Sequence, residues 1–290
     1  MEVAVNLVKA FTRNVTDGNP AGVVLNPPDL SIDQMKMISQ RLQVSETAFV
    51  NPGNSADYMV RFFSPITEVN LCGHATISAF TVIGEKLISK NHDDIIIKQD
   101  TKAGILPVQL FFKDNSMDYV LMKQNEPIIE PVDYKIKTLS SMLNTPVDCF
   151  STRFLKARVS TGLFTLPICV HSLKDLEKMT PDFEKMKTFC KNQGVGSLHV
   201  FSFETYDKDS LYHARNFAPL YGINEDPVTG TANGAVCSYL RHNNYLSSEE
   251  MICEQGDIIK KKGRVKVRIN NRGVWVGGSA IIKERKTLDV

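Results

Sequence analysis

The stretch RFFSPITEVNLCGHAT, residues 61–76, has a counterpart in RNFAPLYGINEDPVTGTA, residues 215–232. Each begins with an arginine, continues through a phenylalanine and a proline to acidic residues, and ends at a glycine that opens an apolar segment. The order and residue types match, although the proline-to-glycine spacing differs by three residues. The match predicts an internal duplication, with chance similarity of short Gly/Pro loops as the alternative.

Short runs of β-branched or aromatic residues lie on both sides of these stretches and predict strands. The predicted strands are Val3 to Val8, Thr47 to Val50, Tyr58 to Phe63, Ile95 to Lys98, Val108 to Phe112, Tyr119 to Met122, Thr165 to Val170, Leu198 to Phe203, Val265 to Ile269, Val274 to Val276 and Ser279 to Ile282.

Three segments have helical patterns. Ser31 to Leu42 opens with a serine followed three residues later by Gln34, which is a capping-box pair. Thr76 to Leu87 and Ala232 to Leu240 are small and apolar on most sides, so both are predicted to be buried helices.

The predicted fold class is α+β, with two pseudo-symmetric domains and a cleft between them. Two prolines and acidic residues interrupt the periodicity from Asn125 to Tyr134, which makes this segment the best candidate boundary. The predicted domains are residues 1–127 and residues 128–290. Each contains one glycine-led stretch and one buried helix.

Composition limits the classes of function. The 290 residues are 42% apolar and 23% charged, and the formal charge is only +2, so no overall field attracts nucleic acid or anionic membrane. Lys260, Lys261 and Lys262 precede Gly263 and are interpreted as a solvated turn. No apolar run approaches the ~18 residues of a membrane span, and Met1 to Lys9 does not resemble a signal peptide. A soluble, cytoplasmic protein is expected.

The six cysteines are scattered without a C-x-x-C pair, a pattern that favours free thiols in a reducing compartment. The sequence contains neither a dinucleotide G-x-G-x-x-G nor a phosphate-loop motif. We therefore expect no cofactor and no metal.

Gly73 and Gly230 each stand immediately before a buried helix. A glycine there leaves the first backbone N–H groups unpaired and open, so two such termini facing one cleft predict a site for a substrate carboxylate. The alternative is an ordinary helix start, with Thr231 acting only as a cap.

His74 follows Gly73 at the first of these helix starts. A helix N-terminus disfavours imidazolium, so His74 is predicted to be mostly neutral at pH 7. No second histidine lies at ligand spacing, which argues against a metal site.

Glu46 lies in VSETAFV, residues 44–50, where a predicted helix leads into a strand that looks buried. A carboxylate entering an apolar strand is costly unless it is paired, solvated or protonated, so such sites tend to be functional. Partial burial is expected to raise the pKa of Glu46 towards neutrality, which suits an acid/base catalyst. A surface glutamate at a strand start is the alternative.

Asp226 precedes Pro227 and the second glycine loop, whereas Glu225 is interpreted as a cap.

Cys72 is a candidate thiolate beside a helix N-terminus. A two-thiol racemase needs a second thiol facing it, but the matching residue in the second half is Thr229. Cys72 is therefore interpreted as a small buried apolar residue.

Taken in order, the motifs resemble the phenazine-biosynthesis-F-like family, whose fold is shared with diaminopimelate epimerase. The similarity covers nearly the whole chain, and although each motif is weak alone, the ordered set is specific. The motifs are Gly18 to Val24, Ser45 to Val50, Arg61 to Pro65 with Glu68, Leu71 to Thr76, Asn216 to Pro219, Glu225 to Ala232, Gln255-Gly256 and Gly263-Arg264.

The resemblance implies two β-barrel-like halves, each wrapped around a central helix, with the last strand able to pack on the first half, and a homodimer. It implies isomerisation of a dihydro-hydroxyanthranilate without cofactor or metal. The family's catalytic glutamate falls on Glu46, and its substrate-binding residues fall on Gly73, His74, Asp226, Gly230 and Thr231. The family more often has serine where Thr231 stands. Its Gly-Arg-Pro-Ser is here Gly-Arg-Val-Lys, so no substrate contact is predicted near the C-terminus.

The hypothesis from sequence is a cofactor-independent isomerase of a small carboxylate, with Glu46 moving a proton in the cleft between the halves. The alternatives are a non-catalytic small-carboxylate-binding protein, an amino-acid epimerase or racemase, and a cysteine-dependent hydrolase or redox protein centred on Cys72. No nucleic-acid or membrane partner is expected.

Overall fold

The computed structural model describes residues 1–87 and 94–290. Its internal contacts divide the chain into two units. The first unit is Met1–Lys123 with Gly277–Val290, and the second is Gln124–Val276. The domain boundary expected at residue 127 stays a prediction.

The N-terminal part of the first unit contains eight strands and two helices among the described residues. They are β1 Glu2–Ala10, β2 Asn19–Leu25, α1 Ile32–Leu42, β3 Thr47–Pro52, β4 Tyr58–Phe63, β5 Glu68–Val69, α2 Gly73–Leu87, β6 Ile95–Thr101, β7 Gly104–Lys113 and β8 Ser116–Lys123.

The rest of the chain contains ten strands, four α-helices and two short 3-10 helices. They are β9 Ile128–Pro131, α3 Ile136–Leu143, the 3-10 helix Val147–Cys149, β10 Ala157–Ser160, β11 Thr165–Cys169, α4 Leu173–Lys178, α5 Phe183–Gln193, β12 Ser197–Ser202, β13 Tyr212–Ala218, the 3-10 helix Pro219–Tyr221, β14 Ile223–Asp226, α6 Gly230–His242, β15 Glu250–Gln255, β16 Gly263–Asn270, β17 Gly273–Gly278 and β18 Ala280–Asp289.

The sheet of the first unit wraps around α2. Strand β18 pairs antiparallel with β1, which pairs antiparallel with β2, so the C-terminal strand belongs to this sheet. Strand β2 is parallel to β3, and β4 lies antiparallel to both β3 and β5. Strand β4 is also parallel to β6. Strand β7 then pairs antiparallel with both β6 and β8. Helix α2 packs against β1, β2, β3, β7, β8 and β18. Its residues 75–84 are all buried, because strands surround it.

The second unit repeats this order of pairings. Strand β11 is parallel to β12, β12 and β14 are antiparallel to β13, β13 is parallel to β15, and β15 is antiparallel to β16. Helix α6 packs against β10, β11, β12 and β16, and its residues 232–240 are all buried. The repeated topology around one buried helix confirms the predicted α+β fold class and its pseudo-symmetric, barrel-like halves.

The two stretches that match in sequence also form the same contacts. Arg61 makes a two-pronged ion pair with Glu68, at 2.8 and 3.0 Å, and Arg215 does the same with Glu225, at 2.8 and 2.7 Å. Each guanidinium lies over the phenylalanine two residues later, 5.0 Å from the ring centre of Phe63 and 4.9 Å from that of Phe217. This shared geometry supports the internal duplication and places Glu225 in an ion pair rather than at a helix cap.

Most of the predicted elements are present. Ser31 caps α1 through the expected capping box with Gln34, and Met35, Ile38 and Leu42 on its apolar face are buried. The polar or mixed segments that form β13, β14 and β15 and the helices α3, α4 and α5 were not predicted. Among the described helices, none is both long enough and apolar enough to cross a membrane.

Replacing Glu68 by glutamine is expected to lower the free energy of unfolding at pH 7 by about 1–2 kcal/mol. Glu68 accepts hydrogen bonds from Arg61 and forms an ion pair with Lys102 at 2.6 Å. These contacts outweigh its partial burial and lower its pKa to about 2. The stabilisation is therefore present above the ordinary pKa of 4.5 and is lost as the pH falls towards 2.

Urea unfolding at pH 7 and at pH 3 measures this effect, with Glu126→Gln at an exposed residue as the control. The difference between Glu68→Gln and wild type is expected to shrink at pH 3. A difference that stays constant or grows in acid contradicts the ion-pair assignment.

Candidate functional site

Glu46 lies at the entrance to the buried strand β3. Its backbone carbonyl accepts the N–H of Gly22 at 3.1 Å, which extends the parallel pairing of β2 with β3 by one residue. The first four residues of β3 are buried, and the strand contacts both α1 and α2. The Glu46 side chain keeps 17% of its surface exposed. The carboxylate therefore sits at the boundary between the core and solvent.

His74, in the first turn of α2, connects Glu46 to two further side chains. Its Nε2 is 3.3 Å from Glu46 Oε2 and 3.2 Å from Ser45 Oγ. Its Nδ1 is 3.4 Å from Cys72 Sγ. The loop before β3 and the start of α2 thus bring a carboxylate, an imidazole, a hydroxyl and a thiol into one cluster.

Cys72 immediately precedes α2. Its carbonyl accepts the Thr76 N–H at 2.9 Å and the Thr76 hydroxyl at 2.8 Å. Cys72 is buried as expected, but its sulfur contacts His74, so its interpretation as an apolar filler is incomplete.

The pKa values of the cluster differ in direction from those expected from sequence. Burial acts to raise the pKa of Glu46, but its contacts with His74, Ser45 and Cys72 outweigh burial and lower it. Burial likewise acts against a charged His74, yet Cys72 and Glu46 beside the ring raise its pKa well above the usual range. The predictions of a raised Glu46 pKa and a neutral His74 are wrong. Each prediction considered the burial or helix position of one residue and left out the neighbouring residue.

The resulting charge state fits an ion pair of Glu46 carboxylate with His74 imidazolium. Burial, the largest influence, raises the pKa of Cys72 although the neighbouring His74 acts to lower it. An ionised carboxylate is the form that accepts a proton, and the adjacent imidazolium stabilises negative charge that develops beside it. The cluster is therefore able to remove a proton and to support the anion left behind.

Gly73 leaves open space at the N-terminus of α2. Among the described residues, a Cβ atom built on Gly73 meets only Met122 Cε, at 4.0 Å. The φ angle of Gly73 is outside the left-handed region, so the backbone does not require glycine. Gly73 therefore leaves this space unfilled beside the helix start, and the carboxylate site expected there stays a prediction.

Gly73→Ala is expected to fold with wild-type stability and to weaken carboxylate binding, because the methyl group fills this open space. Thermal unfolding and ligand titration measure the two effects separately. Gly84→Ala on the same helix is the matched control: its Cβ would overlap the Met117 side chain, and a loss of about 1–3 kcal/mol in stability is expected. Unchanged binding by a stable Gly73→Ala protein argues against the anion site.

The second glycine loop is held by a buried amide. The side chain of Gln255 donates to the carbonyl of Asp226 at 2.8 Å and to Thr229 Oγ1 at 3.1 Å. Its oxygen accepts the Thr229 N–H and the Asn233 amide, both at 3.0 Å. The Thr229 hydroxyl donates to the Asp226 carboxylate. One side chain therefore fixes both the strand end that carries Asp226 and the start of α6.

Thr229 is the N-cap of α6, and its side chain makes no capping bond to any described residue. Thr231 lies inside the first turn, where its carbonyl accepts the Thr161 hydroxyl at 3.3 Å. The alternative in which Thr231 caps the helix is therefore excluded.

The structure brings some of the expected site residues together within each unit. Glu46, Gly73 and His74 lie at one cluster in the first unit, and Asp226, Gly230 and Thr231 lie around the second loop. Sequence reasoning missed the contacts of Ser45 and Cys72, which adjoin Glu46 and Gly73 in the chain. It also missed the role of Gln255, although Gln255-Gly256 is one of the motifs of the family resemblance.

Comparison with known proteins gives a consistent result. The family described as phenazine biosynthesis-like protein matches residues 8–285. A Bacillus subtilis protein named as an uncharacterised isomerase, YfhB, is 36% identical over 294 residues, covering 100% of this chain and 99% of that protein. A crystal structure of a Bacillus anthracis phenazine biosynthesis protein of the PhzF family has a TM-score of 0.90 and 30% identity, with 100% of both chains covered.

A more distant structure shares only the fold. The hydroxyproline epimerase from Agrobacterium vitis has a TM-score of 0.64 at 12% identity, covering 99% of this chain and 92% of that one.

Proposed function

The chain belongs to the phenazine biosynthesis-like protein family, and from this membership we propose that it is an isomerase that moves a proton between carbons of a small carboxylate. Relatives named as isomerases, such as the Bacillus subtilis protein, support the general class of reaction. In this proposal Glu46 is the catalytic acid and base, and the reaction uses neither cofactor nor metal. Homodimer assembly and a cytoplasmic location stay predictions.

The observation that carries the proposal is the contact of Glu46 with His74. The carboxylate is 3.3 Å from the imidazole, is only partly exposed, and has a lowered pKa. An ionised, positioned carboxylate at the edge of a buried core is the arrangement that a proton-abstracting base requires.

The proposed reaction conserves every proton. The Glu46 carboxylate takes a proton from an activated C–H bond, and the electron pair of that bond delocalises into the adjacent unsaturated or carbonyl group. The imidazolium of His74 stabilises the anion. Glu46, now a carboxylic acid, returns the proton to a different carbon, and the carboxylate is regenerated.

In the same proposal, the backbone N–H groups beginning at Gly73 bind the substrate carboxylate. Asp226, Gly230 and Thr231 are proposed as a second set of substrate-binding residues. Support for the second set comes from the repeated topology, since each unit has a glycine at the start of its buried helix.

Proton NMR in deuterated water tests this function. The protein is incubated with small cyclic and amino-acid-like carboxylates, and a heat-inactivated sample is the control. Deuterium entering one compound while its double bond moves is expected and names the substrate class. Deuterium exchange at an α-carbon with a change of configuration at that carbon identifies an epimerase instead. Carboxylate binding with no exchange in any compound indicates the non-catalytic binding protein.

A further inference from the structure

The cluster at the start of α2 also has the composition of a metal site. The ligand atoms of Glu46, Cys72 and His74 all lie within 4.8 Å of one another. They combine a carboxylate oxygen, a thiol sulfur and an imidazole nitrogen, and all three types are zinc ligands. The sequence argued against a metal because no second histidine lies at ligand spacing. The fold supplies a thiol and a carboxylate in its place.

The spacing suits a small tetrahedral ion. Bonds of about 2.0–2.3 Å to nitrogen, oxygen and sulfur place two ligands of one zinc ion about 3.5 Å apart. In the structure, His74 Nε2 is 3.3 Å from Glu46 Oε2 and 3.9 Å from Cys72 Sγ. Small rotations of the three side chains therefore bring them to coordination distance. Three protein ligands leave the fourth position open to water or to a carboxylate.

The ion can reach this cluster from solvent. The Glu46 and His74 side chains retain 17% and 12% of their surface exposed, whereas Cys72 is buried. Cys237 and Cys253, whose sulfurs are 3.5 Å apart, are both fully buried and have no such access.

We propose that Glu46, Cys72 and His74 bind one Zn²⁺ ion and that the bound ion reversibly blocks proton transfer. When zinc binds, a Zn–S bond replaces the S–H bond of Cys72 and a Zn–N bond replaces one N–H bond of the His74 imidazolium, and both released protons pass to the buffer. The bound metal also occupies the Glu46 carboxylate and prevents His74 from being an imidazolium, and the proposed isomerase needs both groups free. Zinc binding stands on the geometry alone, whereas its inhibitory effect rests on the proposed function.

Binding is measured with Zn²⁺ alone, in competition with a chromophoric chelator, and with Co²⁺ as a spectroscopic probe. One equivalent of Zn²⁺ is expected to bind the wild-type chain with a Kd of about 1 µM or tighter. Co²⁺ is expected to show thiolate-to-metal charge transfer and the visible bands of four-coordinate geometry.

Variants assign the ligands. Cys72→Ala is expected to weaken Zn²⁺ binding roughly 100-fold and to abolish the thiolate charge-transfer band. Cys149→Ala, which removes a partly exposed thiol elsewhere in the chain, is the matched control and is expected to bind as wild type does. The rate of deuterium exchange into the substrate is measured with and without zinc for each variant, so that each variant serves as its own reference.

The outcomes separate this inference from the proposed function. Absence of stoichiometric zinc binding, or binding that Cys72→Ala leaves intact and Cys149→Ala removes, overturns the site. Stoichiometric binding through Cys72 without any effect on exchange overturns the inhibition. If no substrate undergoes exchange, the proposed function fails, yet the cobalt spectrum still decides whether the metal site exists.

Discussion

Glu46→Gln is expected to reduce deuterium exchange into the substrate by about 100- to 10,000-fold, the usual contribution of a positioned acid or base. Glutamine preserves the size of the side chain and its ability to hydrogen-bond His74 at the 3.3 Å contact. It has no carboxylate to accept a proton. Because geometry is kept while basicity is removed, the loss should appear in kcat much more than in substrate affinity.

Two further measurements make this prediction specific. Glu126→Gln removes an exposed carboxylate and is expected to exchange at the wild-type rate. Thermal unfolding of Glu46→Gln shows whether the fold is intact. A folded Glu46→Gln protein with the wild-type exchange rate would falsify the assignment of Glu46 as the proton carrier.

Glu254→Ala is expected to lower the free energy of unfolding by about 3–5 kcal/mol, since it breaks a buried charge network. The Glu254 side chain is fully buried and accepts the N–H groups of Tyr206 at 2.9 Å and Asp207 at 2.6 Å. It also lies 3.1 Å from His213 Nδ1 and 3.7 Å from Arg264. These partners outweigh burial and lower the pKa of Glu254. Removing the carboxylate leaves two N–H donors and part of the network without their acceptor.

Urea unfolding of Glu254→Ala measures this loss. Glu249→Ala is the matched control, because Glu249 is 64% exposed and approaches Arg241 only to 3.9 Å, so a change below about 0.5 kcal/mol is expected. An unfolding free energy for Glu254→Ala within about 1 kcal/mol of wild type would show that the network contributes little net stability.

The general architecture follows from local sequence patterns. The matching stretches at residues 61–76 and 215–232 predicted a duplication, and both buried helices follow from runs of small apolar residues. Periodicity identifies such elements because the side chains that must be buried are close together in the chain. The strands β13 and β14 were missed because Arg215 and Glu225 are charged. Their bidentate pairing makes burial possible, and a local pattern does not reveal it.

The candidate site was predicted in part. Glu46 was identified by its unusual place before an apolar strand, and Gly73 and Gly230 by their helix starts. The role of Gln255 was not predictable, because it lies 29 residues from Asp226 in sequence and reaches it only when β15 pairs beside β13. Contacts between distant segments depend on which strands become neighbours, and local propensity carries little information about that choice.

The sequence by itself determined the fold class, the duplication and the residue types available for chemistry. Only the tertiary structure decided which of them act together. Ser45 and His74 are 29 residues apart in the chain and 3.2 Å apart in space. A pKa depends on the charges and donors facing a group from every side, and so Glu46 is ionised where burial alone predicted a raised pKa. The same proximity gives Cys72 its potential as a metal ligand.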